Sequence, residues 1–174
     1  MNRWKRNLMI LLVLSSLPAQ PILLDEIESF KGWGNAVPVG APGLAKSGAL
    51  CAHWTNSARG SSMGLIRTMD WSSYQALSFW MHASNALGTR FLLRAVSTNE
   101  NKEGDYFHFG PSNIAWSGWR RFVIPLAAFN KSRNPKGWKA IQRFDFINSG
   151  WGMKPDSNAV FHFDGVELLA SLPK

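Results

Sequence analysis

Arg90-Phe91-Leu92-Leu93-Arg94-Ala95-Val96-Ser97 is the stretch on which the fold turns. Taken with period two, Phe91, Leu93 and Ala95 share one face, while Arg90, Leu92, Arg94 and Val96 share the other. A helix would scatter these residues around its circumference; a strand sorts them into an apolar face and a mixed one. The alternation recurs on both sides. Gly48 to Trp54, Leu65 to Met69, Ala76 to His82, Tyr106 to Phe109, Trp119 to Pro125, Ile141 to Ile147 and Val160 to Leu169 also read as strands. In Trp119 to Pro125, Phe122 and Ile124 oppose Trp119, Arg121 and Val123. Turn-rich pieces separate the runs, among them residues 56–62 and 130–137. Short, regularly spaced strands without intervening helices predict an all-β chain, an antiparallel β-sandwich. No internal repeat or linker divides it.

The first twenty residues stand apart. Arg3, Lys5 and Arg6 give a positive start, Leu8 to Leu14 is an unbroken apolar run, and Ser15 to Ala19 is a small, helix-ending stretch. That order is a secretory signal, and its apolar part is too short to span a bilayer. A buried N-terminal helix is the alternative reading. No Cys follows the run to carry a lipid, and no other stretch is long and apolar enough for a membrane span. Residues 1–20 are thus expected to be a signal peptide cleaved near Ala19 or Gln20, and residues 21–174 the folded domain. The expected location is periplasmic or extracellular.

Composition narrows the classes. The 154 residues after the signal suit one domain with a sizeable core. A single cysteine, Cys51, cannot form an internal bridge, and it reads as a small apolar residue in a strand. Without the three basic residues of the signal, 16 basic residues face 11 acidic ones, a net +5. A moderately basic exported domain favours polyanions, although its Lys and Arg are scattered. Export argues against nucleic acid as the partner. Catalytic patterns are lacking: no Gly-x-Ser-x-Gly elbow, phosphate loop, His-x-x-x-His pair or cysteine cluster occurs. The acids are dispersed, whereas glycoside hydrolysis needs two carboxyls facing one bond. Glu100, Glu103 and Asp105 crowd one loop, which reads as a solvated turn. Tyr106, His108 and Arg94 offer a base and a carboxylate neutraliser for lyase chemistry, a trio that any chain of this size allows.

An ordered series of motifs carries a resemblance. Asp70-Trp71-Ser72-Ser73-Tyr74-Gln75-Ala76-Leu77-Ser78-Phe79-Trp80 leads a polar turn into a strand. Gly118-Trp119-Arg120, Ile124-Pro125-Leu126, Phe129, Asn134-Pro135-Lys136-Gly137-Trp138 and Ser149-Gly150-Trp151-Gly152 follow. Phe161-His162-Phe163-Asp164-Gly165-Val166-Glu167-Leu168 closes the series. Together they resemble the galactose-binding-like jelly-roll carbohydrate-binding modules, most of all those attached to bacterial polysaccharide lyases of the heparinase and alginate-lyase type. The resemblance runs from about Leu24 to Leu169. It implies a non-catalytic polysaccharide binder on a jelly-roll sandwich, with a separate catalytic or assembly partner. It also implies a structural calcium between the first and last strands, held by Asp25, Glu28 and Asp164. The chain departs from that pattern at Gly165, where the family often carries a second acid.

Binding would rest on aromatic rings, because a sugar offers an apolar C–H face for stacking and hydroxyls for planar, multi-donor side chains. Gly-flanked Trp33 and Trp151 are the leading candidates, followed by Trp116, Trp138 and Tyr106. Trp71, Trp80 and Trp119 are assigned to the core or its rim. Arg90, Arg94 and His108 lie on strand faces that could line a groove, where Arg would pair bidentately with a uronate. The expected ligand is therefore a polysaccharide, acidic by the charge balance. An assembly subunit on the same jelly roll and a small polysaccharide-degrading enzyme remain the alternatives.

Overall fold

The computed structural model describes residues 20–25, 28, 31–40, 44–55, 57–60, 62–99 and 104–173, with the backbone alone for Asp25. The expected signal peptide lies outside these residues apart from Gln20. Twelve strands follow in order: β1 (Ile22–Asp25), β2 (Trp33–Gly34), β3 (Ala36–Val39), β4 (Cys51–Trp54), β5 (Met63–Met69), β6 (Ala76–Ser84), β7 (Arg90–Val96), β8 (Tyr106–Asn113), β9 (Gly118–Pro125), β10 (Asn130–Ser132), β11 (Ile141–Ile147) and β12 (Val160–Leu169). Among the described residues the only helical elements are three short 3-10 turns. All pairings are antiparallel. One sheet runs β3-β4-β12-β6-β9 with β1 also on β12; the other runs β10-β8-β7-β11-β5-β2. The expected all-β sandwich is borne out.

The strand alternation builds the core as the sequence predicts. Phe91, Leu93 and Ala95 of β7, Phe144 and Phe146 of β11, and Phe79 and Met81 of β6 all enter one buried cluster, with Phe161 and Phe163 of β12. Phe146 meets Phe163 at 4.0 Å between ring centroids, and Phe79 meets Phe146 edge-on at 5.1 Å, so rings from the two sheets interlock. Trp71 is buried there, as expected. Trp80 and Trp119 are not in that cluster. They alternate with Phe79 and Phe122 and stand on the outward face of the β6 sheet.

That outward face carries a row of imidazoles. The register aligns His53 of β4 with His162 of β12, His162 with His82 of β6, and His82 with Trp119 of β9. Neighbouring ring centroids lie 5.1, 5.5 and 5.3 Å apart. Burial, then the adjacent His53 and His82, pushes His162 down to about 4. Burial, then Lys46, lowers His82 as well. Cys51, on the same sheet, is buried, and burial followed by the Asp164 charge raises its thiol to about 11. It stays a protonated thiol at neutral pH, in line with the sequence reading.

One turn departs from expectation. Asp105 is not part of a solvated acidic loop. It is buried, and its carboxylate accepts the backbone N–H of Asn99 (3.2 Å) and of Asn134 (3.1 Å), tying the approach to β8 to the segment after β10. A carboxylate out of water needs such donors, and the turn's backbone supplies them. Glu100 and Glu103 lie outside the described residues.

Candidate functional site

The outward face of the β7 sheet collects the polar side chains left over from core packing. Two rows cross it. In one, His108 (β8), Arg94 (β7), Asp145 (β11) and Gly64 (β5) are direct neighbours; in the next, Tyr106, Val96, Arg143 and Ile66 occupy the same four strands. Between them, Ile66, Arg94, Val96, Thr98, Gln142 and Arg143 line an open cavity of about 560 Å³.

Asp145 organises this face. Its Oδ2 accepts from Arg94 Nε at 2.9 Å, Arg94 Nη2 at 2.7 Å and Arg143 Nε at 3.0 Å. The carboxylate is buried, whereas the Arg94 and Arg143 side chains are 18% and 41% exposed. One oxygen therefore aims two guanidiniums while leaving their other N–H groups directed outward. Gly64 makes the arrangement possible. A Cβ there would collide with Asp145 Oδ1 and come within 2.8 Å of the Phe144 carbonyl.

Aromatic rings close one end. The Arg94 guanidinium lies 5.6 Å from the Tyr106 ring centroid, and Tyr106 meets His108 at 6.0 Å and Trp151 at 6.3 Å, both edge-on. Trp151 sits at the tip of a turn closed by the Met153 N–H donating to the Gly150 carbonyl at 2.7 Å. It takes φ +48°, between Gly150 at +73° and Gly152 at +71°. A bulky residue in the left-handed region is rare and strained. Here the strain holds an indole that remains 45% exposed at the rim of the face.

The structure thus brings Arg94, Tyr106, His108 and Trp151 together. Arg90 lies farther along β7, opposite Asn113, with its Nε buried and unpartnered among the described residues. Three aromatic candidates pack against the core instead. Trp33 pairs with Leu65 and packs against the core, because two residues of strand are enough to set its face by register. Trp138 stacks on Phe107 at 4.0 Å and on Trp71 at 5.9 Å, filling the sandwich end. Trp116 likewise packs against the core, edge-on to Phe91 and Phe122, with Arg120 over its ring. Arg143, Asp145 and Ile66 were missed. The alternation Arg143-Phe144-Asp145-Phe146 already placed the two charges on one face, outside the apolar Phe side.

Two of the three residues expected to hold calcium, Asp164 and Glu28, accept hydrogen bonds from the chain. Asp164 accepts from Lys46 N (2.6 Å), Ser47 N (2.9 Å) and Ser47 Oγ (2.9 Å). Glu28 Oε1 accepts from Ala49 N (2.7 Å) and Leu50 N (3.0 Å). Calcium gathers six to eight oxygens, whereas these carboxylates face N–H and O–H donors. Among the described residues no group of three or more His, Cys, Asp or Glu is placed to hold a metal ion. The side chain of Asp25 lies outside them.

Known proteins share this architecture. A family 11 carbohydrate-binding module of a cellulosomal cellulase of Clostridium thermocellum matches with a TM-score of 0.59 at 21% identity, over 88% of this chain and 96% of that one. The family 11 module from Clostridium thermocellum in complex with a β-1,3-1,4-mixed-linked tetrasaccharide matches at 0.57 and 19%, over 88% and 98%. An exo-β-agarase matches at 0.62 and 11%, over 90% of this chain and 25% of its own. A comparison with curated proteins finds no match. The family model for the carbohydrate binding domain (family 11) matches residues 50–171. The carbohydrate-binding jelly roll read from the motifs is borne out, and the family shown is family 11; the resemblance to lyase-attached modules is not shown. With that model spanning β4 to β12 and the sandwich itself agreeing, this chain belongs to the carbohydrate-binding domains of family 11, a binding module rather than a catalytic domain.

Proposed function

We propose that the domain is exported and holds an acidic polysaccharide along the outward face of the β7 sheet. Trp151 and Tyr106 would stack on sugar rings, and Arg94 and Arg143 would take carboxylates and hydroxyls. The carrying observation is the pairing of two arginines with one buried carboxylate, which leaves the face net positive beside an exposed indole. Guanidinium forks suit planar carboxylates, and sharing Asp145 fixes their direction before ligand arrives. The charge-apolar-small order of residues 1–20 supports export, and no helix among the described residues is long and apolar enough to cross a membrane.

A second reading has its own observation. The similar family 11 module is in complex with a β-1,3-1,4-mixed-linked tetrasaccharide, and guanidinium N–H groups donate to hydroxyls as well as to carboxylates. A neutral β-glucan would then lie in the same cleft. Affinity gels containing alginate, pectin, a glycosaminoglycan or neutral glucans, run with and without EDTA, separate the two. Retardation by the acidic gels, weakened by salt, supports the first; retardation by glucans alone supports the second. In either case Trp151→Ala is expected to weaken binding about tenfold or more with the circular dichroism unchanged. If no gel retards the protein and a protein partner co-purifies, the assembly reading replaces both.

A further inference from the structure

We propose a second sugar-binding pocket, on the opposite sheet and centred on Trp80, that takes a single neutral pyranose unit. The proposal rests on the family's carbohydrate chemistry but not on the ligand of the cleft. Trp80 stands in mid-strand on the outward side of β6, where its neighbours on that face are Ser78 and His82. Across the sheet, β12 bulges between Asp164 and Glu167. The bulge puts Gly165, at φ +55°, against the ring. A Cβ there would lie 3.6 Å from Trp80 Cδ1 and 3.8 Å from Ser47 Oγ, so any longer side chain would grow across the space in front of the indole. Gly165 thus holds open a recess that a longer side chain at this place would fill.

The recess has a volume of about 320 Å³ and is lined by Leu23, Ser47, Gly48, Trp80, Gly165 and Glu167. That is the lower end of small-ligand sites. Its walls are mixed in the way a pyranose demands. Trp80 and Leu23, the latter 43% exposed, supply apolar surface for a C–H face. Glu167 Oε1 is fixed by Arg121 Nη2 at 2.7 Å, and that contact engages one carboxylate oxygen of two. Ser47 Oγ spends its proton on Asp164 Oδ1, which leaves its lone pairs to accept from a hydroxyl. Lys46 Nζ lies 5.2 Å from the centroid of the Trp80 ring, a donor beside the recess.

These groups are held in place before a ligand binds. Asp164 clamps the backbone N–H groups of Lys46 and Ser47 to β12, so the loop wall and the Trp80 strand move as one piece. The local charges are Lys46 and Arg121 against Asp164 and Glu167, which cancel. An anion gains nothing here. A neutral ring with several hydroxyls, the end or a branch of a polysaccharide, matches the set. Because the pocket and the cleft lie on opposite sheets, one domain could hold two chains at once.

The test is calorimetric titration with cello-, laminari- and galacto-oligosaccharides on the wild type, Trp151→Ala, and Trp151→Ala combined with either Trp80→Ala or Glu167→Ala. Melting curves check each fold, and Glu167→Ala serves if Trp80→Ala unfolds. The expected result is a neutral-sugar signal that survives Trp151→Ala and falls about tenfold or more in both double variants. Binding by the folded double variants equal to that of Trp151→Ala alone overturns the proposal. So does a wild type that is retarded by acidic gels yet gives no heat with any neutral oligosaccharide, an outcome that leaves the cleft reading standing. Loss of all neutral-sugar binding with Trp151→Ala alone assigns that binding to the cleft and overturns the pocket.

Discussion

Gly64 has no side chain to contribute, yet it decides where the charges of the cleft lie. Its missing Cβ is the space that Asp145 occupies, and Asp145 in turn aims Arg94 and Arg143. Gly64→Ala is expected to push the carboxylate aside, costing about 1–3 kcal/mol of stability as overpacking. It should also loosen both guanidiniums, so polysaccharide affinity falls while the sandwich survives. Denaturant melts and affinity gels on the same sample check this; full-strength binding would show that Asp145 does not organise the face. Trp151 works at the same scale. Its left-handed backbone was invisible in the motif Gly150-Trp151-Gly152, although the flanking glycines marked the turn that holds it. Trp33 carries the same flanks and faces the core, because its side is set by pairing with Leu65, a partner distant in sequence.

At the scale of the element, the row His53, His162, His82 and Trp119 joins four strands through ring contacts. The charged group facing it from the neighbouring loop is Lys46, which also opposes protonation of His82. His162 titrates in the fold at about 4, below its ordinary 6.5. The unfolded chain therefore takes up a proton that the folded one refuses, and stability falls as pH drops from about 6.5 towards 4. Above that window the stability contribution is complete. Melting temperature measured from pH 7 to pH 4.5 should decline, and His162→Phe, which keeps a ring in the row but removes the titration, should flatten the decline. An unchanged slope in His162→Phe would place the acid sensitivity elsewhere. The three histidines were each readable as strand residues, but their alignment depends on register between strands far apart in sequence.

For the whole molecule, closure of the chain falls to packing and to a few buried carboxylates, since the lone Cys51 can bridge nothing. Asp164 ties residues 46 and 47 to β12 across more than a hundred positions of sequence. Asp164→Ala leaves those donors unmatched and should cost about 1–3 kcal/mol, a fall of several degrees in melting temperature. If the hydrogen bonds on Asp164 alone hold this corner, EDTA leaves the wild-type melting temperature unchanged; a clear drop on chelation places the expected calcium here. The eight runs read as strands in the sequence all recur in the structure, as do the faces of β7 and β9, because period-two burial is a local property of the chain. The short strands β1, β2, β3 and β10 were not among those runs, being two to four residues long and held by their partners rather than by pattern. Sequence alone thus determined the sandwich and the apolar faces of β7 and β9. Only tertiary structure decided which rings reach solvent, that Asp145 gathers two arginines over Gly64, and that the histidines form a row, because each depends on register between strands, which no single segment encodes.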